Sequence, residues 1–156
     1  MNKVGLSPSR KLLSGTRLQY TKKADCAKLE RGTDYSAGID LAVRDDALLS
    51  PGESRLFSTG IRVAIPRNHF GMVVIRSGVA AKTGLRMTNG IGIIDSDYRG
   101  DIGLLLENRG GRPEPLIAGQ RVAQLIIVPY AHLDPVDVEG LSFTGRGGGG
   151  FGSTGE

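Results

Sequence analysis

The sequence predicts an all-β sandwich or barrel carrying one short helix. Short apolar stretches recur along the chain with Gly- and Pro-containing turns between them, the pattern of a sandwich or barrel rather than of alternating strands and helices. Glycine supplies 24 of 156 residues, well above the usual ~7%. Only residues 78–83 have helical character, and a helix that brief needs packing to hold it.

The strands follow in order. Residues 17–20 form a first short apolar stretch, and 39–43 form a second with Asp40 set inside an apolar alternation. Ser50-Pro51-Gly52 is a turn, which opens a strand over 54–57. In 60–65, Ile61, Val63 and Ile65 alternate with Arg62 and Ala64, the period of a half-buried strand. Pro66-Arg67-Asn68 breaks the chain before a strand at 71–75. Residues 90–94 are apolar and punctuated by Gly90 and Gly92, consistent with a β-hairpin whose backbone lies bare against something. A strand at 102–107 ends in the breaker 108–115. After Gly119, residues 122–128 contain the continuous run Leu125-Ile126-Ile127-Val128, as expected of a strand covered on both faces.

Composition narrows the function classes. At 16.5 kDa the chain is one domain. No apolar run approaches the ~18 residues of a spanning helix, and the N-terminus lacks the apolar core of a secretory signal. Cys26 is the lone cysteine and His69 and His132 the only histidines, so an internal disulfide is excluded and a zinc cage is disfavoured. A cytoplasmic protein is expected, or a nuclear one in a eukaryotic or viral setting. Net charge is +4, but residues 1–31 carry eight basic and two acidic side chains, and residues 32–156 carry 12 and 14. The basic character therefore belongs to the leading segment. It reads as a solvated leader over 1–16, with nucleic-acid contact confined to it if present at all, because no reader motif accompanies the charge.

Gly-flanked polar clusters interrupt the strands. Arg76-Ser77-Gly78 stands where a strand turns into the short helix. It reads either as an anion site at free backbone N–H groups or as a simple Ser77 N-cap. Asp95 ends the stretch after Gly92 and is followed by Ser96, Asp97, Tyr98 and Arg99. A carboxylate there can take a proton from water, or the segment can be only an Asx-type turn. Neither a dinucleotide fingerprint nor a Walker-type phosphate loop is present. Seven glycines in residues 145–156 describe an arm that buries little and lets backbone N–H groups approach anionic oxygens.

Taken together, AGIDL at 37, RSGVA at 76, GIIDSDYRG at 92, RVAQL at 121 and RGGGGFGSTG at 146 resemble, in order, the five motifs of the trimeric dUTPase family. The resemblance implies a β-jelly-roll domain over 17–144, assembled as a homotrimer with three sites shared between subunits. It implies hydrolysis of dUTP to dUMP and pyrophosphate with Mg²⁺, which limits uracil incorporation into DNA and supplies dUMP for dTMP synthesis. By position, Asp95 would activate the attacking water. Asn89 and the backbone of the hairpin through Tyr98, Gly90 and Ile94 included, would read the uracil edge, with the Tyr98 side chain against the deoxyribose. Arg76, Ser77 and Gly78 would hold the phosphates. Asp40 and Gln124 would reach Mg²⁺ through water only, with Gln124 also facing substrate. Phe151 would stack on the uracil while Arg146, Gly152, Ser153 and Thr154 close over the phosphates.

The chain departs from the family pattern at Ile75, where many members have proline, and in its leader. No role falls to Lys82. dCTP deaminase shares the implied fold and resembles the chain around RSG, but it carries Ser after RS and uses a Glu base, whereas Gly78 follows Ser77 here. A non-catalytic nucleotide-binding module would lack Asp95 or the arm, and both are present.

Overall fold

The structure is a computed structural model and describes residues 17–150. Eleven strands and one helix follow in order: β1 (Gln19–Lys22), β2 (Ile39–Ala42), β3 (Ala47–Leu49), β4 (Ser54–Ser58), β5 (Ile61–Ala64), β6 (His69–Ile75), α1 (Ser77–Lys82), β7 (Leu85–Met87), β8 (Gly92–Ile94), β9 (Gly103–Asn108), β10 (Glu114–Leu116) and β11 (Arg121–Pro129). Every strand pair is antiparallel. The strands form a four-stranded sheet β2-β11-β6-β8, a three-stranded sheet β4-β9-β7, and the pairs β1-β5 and β3-β10. The all-β expectation holds, with a jelly-roll-like arrangement.

Alternation along the strands builds the core. In β9, Leu104 and Leu106 point inward and are fully buried, while Leu105 and Glu107 are only half-buried. They meet Leu41 of β2, Val73 of β6 and Val122 and Leu125 of β11 in one apolar cluster. Burying each such leucine contributes about 1.5–3 kcal/mol. Asn108 ends β9 fully buried, and its amide donates to the Leu49 carbonyl (2.9 Å) and the Arg112 carbonyl (2.8 Å). Its Oδ1 accepts from the Gly110 N–H (2.8 Å). These bonds satisfy a buried amide and fix the loop between β9 and β10.

Several expectations need correction. The strands β3, β7 and β10 were not expected, and β10 begins inside the stretch 108–115 that reads as a breaker. The 90–94 segment is not one half of a hairpin with its neighbours. β7 joins β9 in one sheet, while β8 joins β6 in another. β11 is paired along both edges, by β2 and β6, but is not covered on both faces: within the run 125–128 only Leu125 is buried. The helix begins at Ser77 rather than Gly78.

Beyond β11 the chain carries exposed apolar side chains. Leu133 is 80% exposed, Leu141 91% and Phe143 96%. No strand or helix is formed over 130–144. No described helix is long and apolar enough to cross a membrane.

Candidate active site

Three of the sequence clusters converge at one end of the four-stranded sheet. Asp40 on β2 lies directly across from Gln124 on β11, which in turn faces Val74 on β6. Cross-strand partners share a sheet face, so Asp40 and Gln124 stand side by side. Two strands over, β6 delivers Arg76, whose N–H donates to the Val122 carbonyl (2.9 Å). Ile75, in place of the family's proline, stays in the ladder opposite Ala123.

Asp40 is buried and its carboxylate is divided between two guanidinium groups. Arg76 Nε lies 3.3 Å from Oδ1, and Arg121 Nη1 donates to Oδ2 at 3.1 Å. A buried carboxylate requires such compensation. Here it also fixes the aim of Arg76, which is 36% exposed and whose terminal nitrogens have no partner among the described residues. Arg121 escaped the sequence reading. It lies within RVAQL, but nothing in its spacing indicates a partner 81 positions away.

Gly38 explains why AGIDL opens with a small residue before Ile39. A Cβ on Gly38 would overlap the side-chain Oε1 of Gln124. Gly38→Ala is therefore expected to displace Gln124. Overpacking of this kind costs about 1–3 kcal/mol, so the melting midpoint should fall, with kcat/KM falling further than unfolding alone accounts for. Thermal melts and steady-state kinetics on the same sample check both.

Ser77 is not the N-cap of the helix. Arg76 occupies the N-cap of α1, and no side chain caps the helix. Ser77 and Gly78 are exposed. Their backbone N–H groups and the Ser77 hydroxyl have no partner among the described residues. A Cβ on Gly78 would meet open space. With Val79, Lys82, Thr83 and Gln120, these residues line a recess of about 380 Å³. Cationic, donor-rich and without a carboxylate in its lining, it suits phosphate oxygens.

The Asp95 segment lies elsewhere. β8 is the edge strand of its sheet, pairing only with β6 among the described residues, through Gly71, Met72 and Val73. Its other edge offers unpaired backbone donors and acceptors, flanked by the exposed Ile91 and Ile93. Asn89 and Gly90 form the turn that leads into it. The Gly90 N–H donates to the Met87 carbonyl (3.0 Å), and Gly90 takes φ +68°, a left-handed conformation suited to glycine. Ile94 closes the strand half-buried. A fixed strand edge of this kind can read the donor and acceptor pattern of a planar base.

After β8 the chain makes the expected turn through Ser96 and Asp97. The Tyr98 N–H donates to the Asp95 carbonyl at 3.2 Å. Arg99 Nη1 donates to the Ser96 and Tyr98 carbonyls (2.7 and 2.9 Å). Tyr98 Oη donates to the Asp101 carbonyl (3.0 Å), and its ring lies so close over Gly100 that a Cβ there would collide with it. The ring is thereby fixed with one side open. Asp95 itself is exposed, with its carboxylate free of partners among the described residues. It lines a recess of about 610 Å³ with Arg67, Arg99, Tyr130 and His132. The turn and the base are thus compatible readings.

Two predicted groups do not meet within the chain. In the β6–β8 register Ile94 faces Gly71, so Asp95 falls beside the start of β6, whereas Arg76 leaves its other end. At the rise of an extended strand these points are about 20 Å apart. Arg146 makes only a local bond, from Nε to the Gly149 carbonyl at 2.8 Å. Phe151, Gly152, Ser153 and Thr154, and the leader 1–16, lie outside the described residues.

Comparison with known proteins identifies relatives of this chain. The deoxyuridine 5'-triphosphate nucleotidohydrolase of Anaeromyxobacter sp. is 49% identical over 79% of this chain and 84% of its own. The enzyme of that name from Cutibacterium acnes is 50% identical over 76% and 79%. Among solved structures, a dUTPase mutant of Staphylococcus bacteriophage 80alpha with dUpNHpp superposes with a TM-score of 0.81 at 27% identity. That match covers 91% of this chain and all of that one. A mutant dUTPase from phage phi11 of S. aureus, described as revealing the coordination of a structural Mg(II) ion, gives a TM-score of 0.74 at 26% identity, over 82% and 100%. A sequence model of the dUTPase family matches residues 24–155, taking in both the Arg76 cluster and the Asp95 edge, and this chain belongs to that family.

Proposed function

We propose that the chain hydrolyses dUTP to dUMP and pyrophosphate at sites assembled between the subunits of a homotrimer. One observation carries the shared site. The exposed Asp95 carboxylate and the Arg76–Ser77 phosphate grip are about 20 Å apart in one chain, whereas attack on phosphorus requires the reacting atoms within about 3–3.5 Å. A second copy supplying the other half satisfies both. The exposed Leu133, Val136, Val138, Leu141 and Phe143 beyond β11 support the same reading, because an apolar stretch of this kind is covered by a partner surface.

In the proposed reaction the open edge of β8 pairs with uracil, and a close fit beside Ile91, Ile93 and the Asn89–Gly90 turn would exclude a 5-methyl group. Cytosine would leave buried donors and acceptors mismatched, at about 1–3 kcal/mol each. Tyr98 packs on the deoxyribose. Asp95 accepts a proton from a water aligned on the α-phosphorus, and the water oxygen displaces pyrophosphate. Arg76, the Ser77 hydroxyl and the free N–H groups of Ser77 and Gly78 hold the phosphates and neutralise charge as it moves to the leaving group. The arm over 145–156 brings Phe151 onto the uracil face and Arg146, Gly152, Ser153 and Thr154 onto the phosphates, excluding water.

No cluster of three Asp, Glu, His or Cys side chains is found among the described residues. Both oxygens of Asp40 are already held by arginines. The donor set therefore fits Mg²⁺ only as an ion carried on the triphosphate, with Asp40 and Gln124 reaching it through water. When bound, the ion would neutralise phosphate charge. The proposal places the enzyme in the cytoplasm, where it limits uracil in DNA and supplies dUMP.

Subunit mixing tests the shared site. Asp95→Asn and Arg76→Ala are each expected to be inactive as pure proteins. Unfolded together and refolded as mixed trimers, they should recover roughly a quarter of wild-type turnover, the fraction of interfaces that pair two intact halves. Mixtures as inactive as the parents would place both halves in one chain and overturn the arrangement.

A further inference from the structure

We propose that a recess at the C-terminal end of α1 is a second anion site, one that takes a condensed phosphate such as free inorganic pyrophosphate. The recess measures about 550 Å³ and is lined by Lys82, Arg86, Arg109, Arg112, the glycine loop 110–111 and Glu114. Its cations come from three separate elements, the end of α1, β7 and the loop between β9 and β10. The cluster is therefore a product of the fold and not of a local basic run.

Each cation is held in a way that leaves donors available. Arg86 Nη1 donates to the Thr83 and Leu85 carbonyls (3.1 and 2.6 Å), which fixes the group while its other nitrogens stay unbonded among the described residues. Arg109 is tied through Nε to Glu107, and its two terminal nitrogens have no partner among the described residues. Arg112 stands 4.0 Å from Glu114 and its side chain is 82% exposed. Lys82 is exposed and has no acidic partner among the described residues. Glu114 is buried and its Oε1 is occupied by the Gly84 N–H at 3.2 Å. Four cations against Glu107 and Glu114 leave an excess of two positive charges.

That excess and the width of the recess suit an anion with more than one phosphoryl group, since guanidinium forks pair bidentately with phosphate oxygens. No aromatic side chain lines it, so nothing there would stack a base, which argues against a nucleic-acid strand. Lys82 and Thr83 also line the recess that holds Arg76 and Ser77. The two recesses thus share a wall, and an anion leaving the first meets the second. The anion chemistry stands independently of the active site; only the source, pyrophosphate released by the reaction, rests on the dUTP reading.

The test is direct binding of inorganic pyrophosphate to the full chain by calorimetry, without turnover. Arg76→Ala removes the active-site grip and is expected to retain one class of pyrophosphate sites, weakened by salt. Adding Arg109→Gln and Arg112→Gln should weaken the remaining site roughly tenfold or more, the effect of losing charged hydrogen bonds. Both side chains are exposed, and an unchanged melting midpoint confirms the fold. Lys82→Gln on the same Arg76→Ala background gives a second reading in the same direction. A parallel arm uses a non-hydrolysable imido analogue of dUTP. Loss of all pyrophosphate binding in Arg76→Ala, or unchanged affinity in the combined variant, overturns the site. Retention of the analogue without pyrophosphate overturns the free anion as its ligand. Because no outcome depends on dUTP hydrolysis, failure here is separable from failure of the active-site reading.

Discussion

Asp95→Asn is expected to lower kcat about 10²–10⁴-fold, the usual contribution of a positioned general base, while KM for dUTP changes little. The side chain sits exposed at the end of β8, with the loop behind it fixed by the Arg99 and Tyr98 hydrogen bonds. Asparagine keeps the volume and can still orient a water, but it cannot take the proton. The uracil contacts assigned to the β8 edge and the phosphate contacts at Arg76 are untouched, so nucleotide binding should survive. Single-turnover kinetics and equilibrium binding of an uncleaved analogue separate the two. Equal losses in binding and turnover would make Asp95 a binding or structural residue instead.

The second large effect concerns the arm. Removing residues 145–156 is expected to leave a folded trimer with an unchanged melting midpoint and little turnover. Within the described part of this segment, Arg146 bonds only to Gly149, and the Gly147 N–H only to Thr144. None of residues 145–150 contributes to the buried core among the described residues, so their removal costs no core packing. The deletion also removes Phe151, whose stacking on a base would contribute about 1–3 kcal/mol, together with Arg146 and the hydroxyls assigned to the phosphates. Size-exclusion chromatography with light scattering reports assembly, and pyrophosphate release reports turnover. Full turnover by the truncated protein would remove the arm from the mechanism.

Much of this architecture could be read from residue patterns, for identifiable physical reasons. The strand at 60–65 declared itself because burial on one face imposes a period of two, and the one at 102–107 because an apolar run stands between breakers. The three-residue strands β3, β7 and β10 are too brief to show a period. Pro115 also argued against β10, yet it sits in an isolated two-stranded pair opposite Leu48, where a missing N–H is tolerated. The hairpin expected at 90–94 failed for a different reason: alternation identifies a strand but not its partner, and β8 pairs with β6 across the sheet.

The candidate site shows the same division. Asp40, Arg76, Ser77 and Asp95 stood out as polar groups inside an apolar alternation, beside glycine or at a strand end, whereas Asn89, Tyr98 and Gln124 took their roles only from the resemblance to the dUTPase family. What joins them was not legible. The division of the Asp40 carboxylate between Arg76 and Arg121 depends on the β2-β11-β6 order, and so does the contact of Gln124 with Gly38. The separation of Asp95 from Arg76 follows from the β6–β8 register. Pairing between strands distant in sequence is fixed by the packed core, which no local pattern records.

The most direct test of the central claim is release of pyrophosphate by the purified full chain, measured separately on dUTP, dTTP, dCTP and UTP with and without Mg²⁺. The account predicts one equivalent of pyrophosphate and one of dUMP from dUTP, enhanced by magnesium, with the other three nucleotides left nearly intact. Intact dUTP after prolonged incubation with magnesium, or ammonia released from dCTP, would contradict it.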